Sequence, residues 1–154
     1  MGIIQVTKRD GKKEPLDLNK FHKVVEWACE GINNVSESEI ELKSRIQFYN
    51  GIKTSDIQET IIKAAADLIS EEVPGYQYVA GRLINYHLRK QVYGDYNVPH
   101  LADHISSVID AGYYDRDIKD YYNFEEICTL NSYIDNERDF SIAYVGMEQF
   151  RGKY

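Results

Sequence analysis

A chain of 154 residues with 43% hydrophobic and 28% charged side chains can bury one moderate core, and it is too apolar to remain disordered. Its formal charge of -7 is unevenly spread: residues 1–95 carry 13 basic and 14 acidic side chains, residues 96–154 carry 5 and 11. The second part would therefore repel a nucleic-acid backbone, whereas the first can attract phosphate locally.

No apolar run approaches the roughly 18 residues of a membrane span, and MGIIQV lacks a charged stretch followed by a long apolar one. Val6 stands where a lipidation signal beginning at Gly2 requires Ser or Thr. A cytoplasmic chain without a membrane partner is expected. Cys29 and Cys128 form no CxxC pair and read as reduced structural thiols. His100 and His104 are four residues apart but lack the glutamate of an HExxH motif, so no metal site is expected.

In chain order, Ile3 to Thr7 reads as a strand and Lys13 to Leu16 as a short partner, joined by a tight turn at Asp10-Gly11. Pro15 cannot donate to a ladder, which puts the partner at an edge. Asp17 can cap a helix that carries Phe21, Val24, Val25 and Ala28 on one face, with Trp27 beside them, and that stops at Gly31. Ser36 and Glu39 form a capping-box signature for a second helix, whose apolar residues Ile40, Leu42, Ile46 and Phe48 make an imperfect stripe. Gly51 marks a turn. A third helix begins after Lys53-Thr54, with Ser55 and Gln58 as the next capping box and Ile57, Ile61, Ala64, Ala65 and Leu68 as its face. Pro74-Gly75 breaks the chain before a fourth helix, Tyr76 to Tyr93, which ends in Arg89-Lys90, cations suited to a helix C-terminus.

The expected fold is mainly α with a small β cap: a short sheet over a four-helix bundle across residues 1–95, then further helices across 96–154. In the latter, Leu101, Ile105 and Val108 recur at helical spacing within 100–111. Residues 113–122 hold four tyrosines, and Asn123 with Glu126 can start a helix through Tyr133. The 13 tyrosines fit either a protein interface or mixed core and boundary positions. Residues 135–154 read as one more helix or an irregular segment, and the stop at Lys153-Tyr154 reads as a cut from something longer.

Catalytic signatures are missing. The sequence holds neither a Walker phosphate loop nor GxGxxG, and no Ser, His and Asp set with nucleophile spacing. What remains is the hairpin and the helix behind it, where Lys8, Arg9, Lys12, Lys13 and Lys20 crowd together. They make either a solvated basic turn or an anion site in which backbone N–H groups and cations share a phosphate. For a nucleotide there, Lys8, Arg9 and Lys20 would neutralise phosphates. Glu14 and Asp17 would accept hydrogen bonds from base or ribose, or hold a screening cation. Thr54 offers a hydroxyl at a helix start, and Lys90 a charge at the end of the fourth helix.

The stretches VTKRDGKKEPLDLNKFHKVVEWACEG, IQFYNGIKTSDIQETIIKAAADLIS and YQYVAGRLINYHLRKQVYG, followed by AGYYD, NERDF and GKY, closely resemble the N-terminal region of the large subunit of aerobic class I ribonucleotide reductase. The resemblance implies an ATP-cone over about residues 4–94, a regulatory domain binding ATP as activator or dATP as inhibitor, with Mg2+ as a candidate companion of the nucleotide. It implies that Val6 lines the pocket, that Lys8 and Arg9 meet phosphates, and that Glu14 and Asp17 bond the base side. Lys20, Thr54 and Lys90 would complete the surroundings. Gln58 falls where matched relatives have His, which bears on the separation of ATP from dATP.

The resemblance also implies the remainder of a large subunit, a metal-radical small subunit and nucleotide-dependent oligomerisation as partners. The catalytic cysteines and specificity site would lie in a barrel beyond this length, so the chain alone would not reduce a ribonucleotide. Two alternatives stand beside it. One is a degenerate cone serving as a docking module. The other is an ATP-cone transcriptional regulator, which would call for a zinc ribbon with paired cysteines.

Overall fold

The structure, a computed structural model, describes residues 4–153; Gly2, Ile3 and Tyr154, on which parts of the sequence reading fall, lie outside them. The N-terminal hairpin pairs β1 (Gln5–Thr7) with β2 (Lys13–Pro15) in antiparallel register, Val6 opposite Glu14. Its turn is closed by Lys8 N donating to Lys12 O at 2.8 Å and Gly11 N to Lys8 O at 3.0 Å. Gly11 takes a φ of 83°, a conformation that a side chain disfavours. β2 lies at the sheet edge, as the missing N–H of Pro15 requires.

A third strand, β3 (Ile52–Lys53), pairs parallel with β1 and gives the order β2-β1-β3. The sequence gives no sign of it, because two residues have no period. It is held by the loop before it: Gly51 N donates to Gln5 O at 2.7 Å, and Gln5 N donates to Asn50 Oδ1 at 2.9 Å.

Four helices carry the sheet: α1 (Leu18–Cys29), α2 (Glu37–Arg45), α3 (Thr54–Ala66) and α4 (Tyr76–Tyr93). Val25, Ala28, Ile40, Ile61, Ala64, Ala65, Val79, Leu83 and Ile84 are fully buried among them. At roughly 25 cal/mol per Å² of apolar surface removed from water, this cluster is the main stabilising contribution. The imperfect stripe of α2 has a simple outcome: Ile40 is buried, whereas Leu42 and Ile46 stay exposed.

The capping box expected at Ser36 is formed with help from α4. Ser36 Oγ accepts from Glu39 N at 3.3 Å, but the return bond runs through Tyr76. Ser36 N donates to Tyr76 Oη at 2.9 Å, and Tyr76 Oη donates to Glu39 Oε2 at 2.9 Å. The second expected box, Ser55 with Gln58, is not formed. α3 starts at Thr54, with Lys53 as N-cap and no side-chain cap bond, so Gln58 sits two residues past the position that could reach back.

Compactness divides the chain differently from a single boundary at residue 95. One unit runs up to Leu88 and resumes at Asp139, and the other is Arg89–Arg138. In the first, α8 (Tyr144–Lys153) follows a 3-10 helix (Asn136–Ser141) and buries Met147 in the bundle core. Gly81 on α4 permits this approach: a Cβ there would stand 2.2 Å from the carbonyl oxygen of Ile142. Phe140 meets Trp27 edge-on, with ring centroids 5.3 Å apart.

The second unit packs α5 (Leu101–Asp110) on α7 (Phe124–Tyr133), with Ala102, Ile109 and Ile127 buried and Leu101 N donating to Asn131 Oδ1 at 2.9 Å. The capping box of Asn123 and Glu126 is complete. Residues 113–122 are helical only over α6 (Ile118–Tyr121), and Tyr113, Tyr114, Tyr121 and Tyr122 are all exposed. Among the described residues no helix is long and apolar enough to cross a membrane.

Candidate functional site

A cavity of about 270 Å³ opens between the hairpin, α1, the start of α3 and α4. Its apolar lining comes from Val6, Leu16, Phe21, Val24 and Ile57, with the ring of Tyr86 added from α4. Val6 is only 3% exposed, because the central strand carries its side chain inward. The polar lining is Lys8, Glu14, Asp17, Lys20, Thr54 and Gln58.

The geometry thus brings together Val6, Lys8, Glu14, Asp17, Lys20, Thr54 and Gln58, which lie up to 52 residues apart in sequence. Two expected residues are placed otherwise. Arg9 is exposed in the turn and is not among the lining residues, although its charge acts on buried His87. Lys90 lies in the last turn of α4, four residues after Tyr86, and belongs to the second compact unit. Tyr86 was not foreseen. The only sequence signal for it is its place on the amphipathic α4, where an aromatic reads equally as core.

Lys8 Nζ and Glu14 Oε2 form an ion pair at 2.8 Å, and the hydrogen bond and charge of Glu14 raise the Lys8 pKa above its ordinary value. Asp17 has a structural duty: its Oδ1 accepts from Asn19 N at 3.0 Å and Lys20 N at 3.2 Å, capping α1. Its other oxygen lies 3.9 Å from Lys20 Nζ. The start of α3 has no side-chain cap, which leaves its first N–H groups beside Thr54 open to an anion.

Gln58 supplies the most specific feature. Its Oε1 is buried and has no hydrogen-bond partner among the described residues. A buried acceptor left unsatisfied costs about 1–3 kcal/mol, and His87 Nδ1 is buried without a partner in the same way. Cations at the rim and an apolar, aromatic interior are chemistry that can take an anionic ligand with an apolar part.

A family model described as the ATP cone domain matches residues 4–91. The chain belongs to the ATP cone domain family. Its cone is also similar, beyond the matched domain, to longer proteins. It is 52% identical over 149 residues to the ribonucleoside-diphosphate reductase 1 subunit alpha of Escherichia coli (strain K12), covering 97% of this chain and 20% of that protein. Against the ribonucleoside-diphosphate reductase subunit alpha of Haemophilus influenzae it is 51% identical over 151 residues, 98% of this chain and 20% of the relative. The subunit alpha of Enterobacteria phage T4 is 44% identical over 156 residues, again with 20% of the relative covered. The chain therefore spans about a fifth of the length of these relatives, matching their N-terminal region.

Two groups near the cone's core are chemically quiet. Cys29 is buried, and burial pushes its thiol pKa up to about 12, so it stays protonated. His87 is 3% exposed, and burial holds its pKa below the ordinary value, favouring the neutral ring. No group of three or more His, Cys, Asp or Glu side chains suited to a metal ion occurs among the described residues.

Proposed function

We propose that this chain is the allosteric portion of a ribonucleoside-diphosphate reductase large subunit, binding ATP or dATP in the cavity under the hairpin. The observation that carries this reading is a cavity rimmed by Lys8 and Lys20 and lined inside by Val6, Phe21, Gln58 and Tyr86. Lys8, Lys20 and the uncapped start of α3 at Thr54 face the phosphates; Glu14 and Asp17 face base and ribose. Val6 and Tyr86 supply the apolar contact. Arg9, in the hairpin turn, adds charge to the outer phosphates. Mg2+ would arrive with the triphosphate and screen its charge.

The chain would act in the cytoplasm with the remaining four-fifths of the large subunit and a metal-radical small subunit, and nucleotide would alter their oligomeric state. Reduction of ribonucleotides to deoxyribonucleotides would take place in that remainder, not here. Calorimetric titration of the 154-residue chain with ATP and with dATP tests the reading. Heat from both, with each nucleotide competing against the other, is expected. Absence of heat from either sinks it.

A further inference from the structure

Arg151, on α8, makes two sets of ionic contacts. Its Nη1 lies 2.9 Å from both carboxylate oxygens of Glu59, while its Nε and Nη2 lie 2.9 Å and 2.6 Å from the oxygens of Glu148. Glu59 is the residue after Gln58 on α3, and its Oε1 is also approached by His87 Nε2 at 3.3 Å. His87 in turn follows Tyr86 on α4. One carboxylate thus joins α3, α4 and α8, and on α3 and α4 the preceding residue lines the nucleotide cavity. The Arg151 side chain is 22% exposed and that of Glu59 49%, so this is a half-exposed ion pair whose strength falls with added salt.

We propose that Arg151 is a positioning residue for the nucleotide site: through Glu59 it holds the first turns of α3, and so couples the seating of α8 to occupancy of the cavity. The proposal rests on the nucleotide reading above. Its physical basis is that α3 presents Thr54 and Gln58 from turns with no side-chain cap of their own. The orientation of those turns is left to tertiary contacts, of which the Glu59 carboxylate is the ionic one nearest Gln58. Linkage then requires reciprocity: whatever affinity the Arg151 contact adds for nucleotide, nucleotide returns as added stability of α8.

The test measures amide hydrogen exchange over Tyr144–Lys153 with and without saturating ATP, together with ATP affinity, in the unaltered chain, R151K and R151Q. Slower exchange in α8 with ATP is expected in the unaltered chain and in R151K, which keeps the charge. R151Q is expected to bind ATP about threefold to tenfold more weakly and to lose the nucleotide-dependent protection. Equal losses in R151K and R151Q would mark a packing role and overturn the proposal. Exchange in α8 of the unaltered chain that ignores bound ATP overturns it too, whether or not R151Q folds, while leaving the nucleotide reading intact. No ATP binding by the unaltered chain overturns both.

Discussion

Lys8 and Glu14 face each other across the β1–β2 hairpin at 2.8 Å, and both line the cavity, so the cation proposed to meet phosphate is already engaged with a carboxylate. Their side chains are 42% and 38% exposed, which makes the pair a weak contributor to stability. Its consequence is for the proposed binding: a phosphate held there would share Lys8 with Glu14. K8A is expected to weaken ATP binding about tenfold at low salt, with the deficit shrinking as salt is added. Titration calorimetry at two ionic strengths measures both. A deficit that does not change with salt would show that Lys8 acts by packing.

Gln58 makes opposite predictions for the free and bound chain. Replacing it with Met removes an unsatisfied buried acceptor at similar volume, so the nucleotide-free Q58M chain should unfold at the same or a higher temperature. Gln58 also lines the cavity, so loss of its polar amide should lower ATP affinity by about fivefold or more. Thermal denaturation with and without ATP reads both signs. A lower melting temperature without nucleotide would show that the carbonyl is satisfied in the free chain.

His22 and His87 should make stability depend on pH in opposite directions. His22 Nδ1 lies 2.5 Å from Glu41 Oε1, and that hydrogen bond and charge raise its pKa above 6.5. Its contribution is complete below 6.5 and is lost as pH rises through the raised value. His87 is held neutral by burial, with a pKa below 6.5, so the folded chain loses stability as pH falls from 6.5 toward that lowered value. H22Q should flatten the alkaline side of the stability profile and H87Q the acidic side. Denaturant midpoints across the neutral range test this, and an unchanged profile in either variant removes that residue's part.

Gly81 has no room for a methyl group. A Cβ would stand 2.2 Å from a backbone oxygen, that of Ile142, which cannot rotate away as a side chain would. G81A should destabilise the chain by about 1–3 kcal/mol despite alanine's better helix propensity. Chemical denaturation measures it. A stabilised G81A would mean that the 139–153 segment is not seated on α4.

By itself the sequence determined the hairpin, the four helices of the bundle and the chemistry of its cations, because each rests on local rules. Asp10-Gly11 forces a turn, Asp17 caps α1, apolar residues at helical spacing define buried faces, and Pro74-Gly75 separates α3 from α4. The ordered motifs from VTKRDG to YHLRK also made the ATP cone recognisable without coordinates. Tertiary structure alone decided the two-residue β3, which exists only through its pairing with β1, and the start of α3 at Thr54, which left the expected Ser55–Gln58 box unformed. It also decided the return of α8 to the bundle through Gly81, and the meeting of Gln58 and Tyr86 in the lining of one cavity. These features depend on close approach between segments distant in sequence. Local spacing encodes which face of a helix is apolar, but not which backbone atom will stand against it.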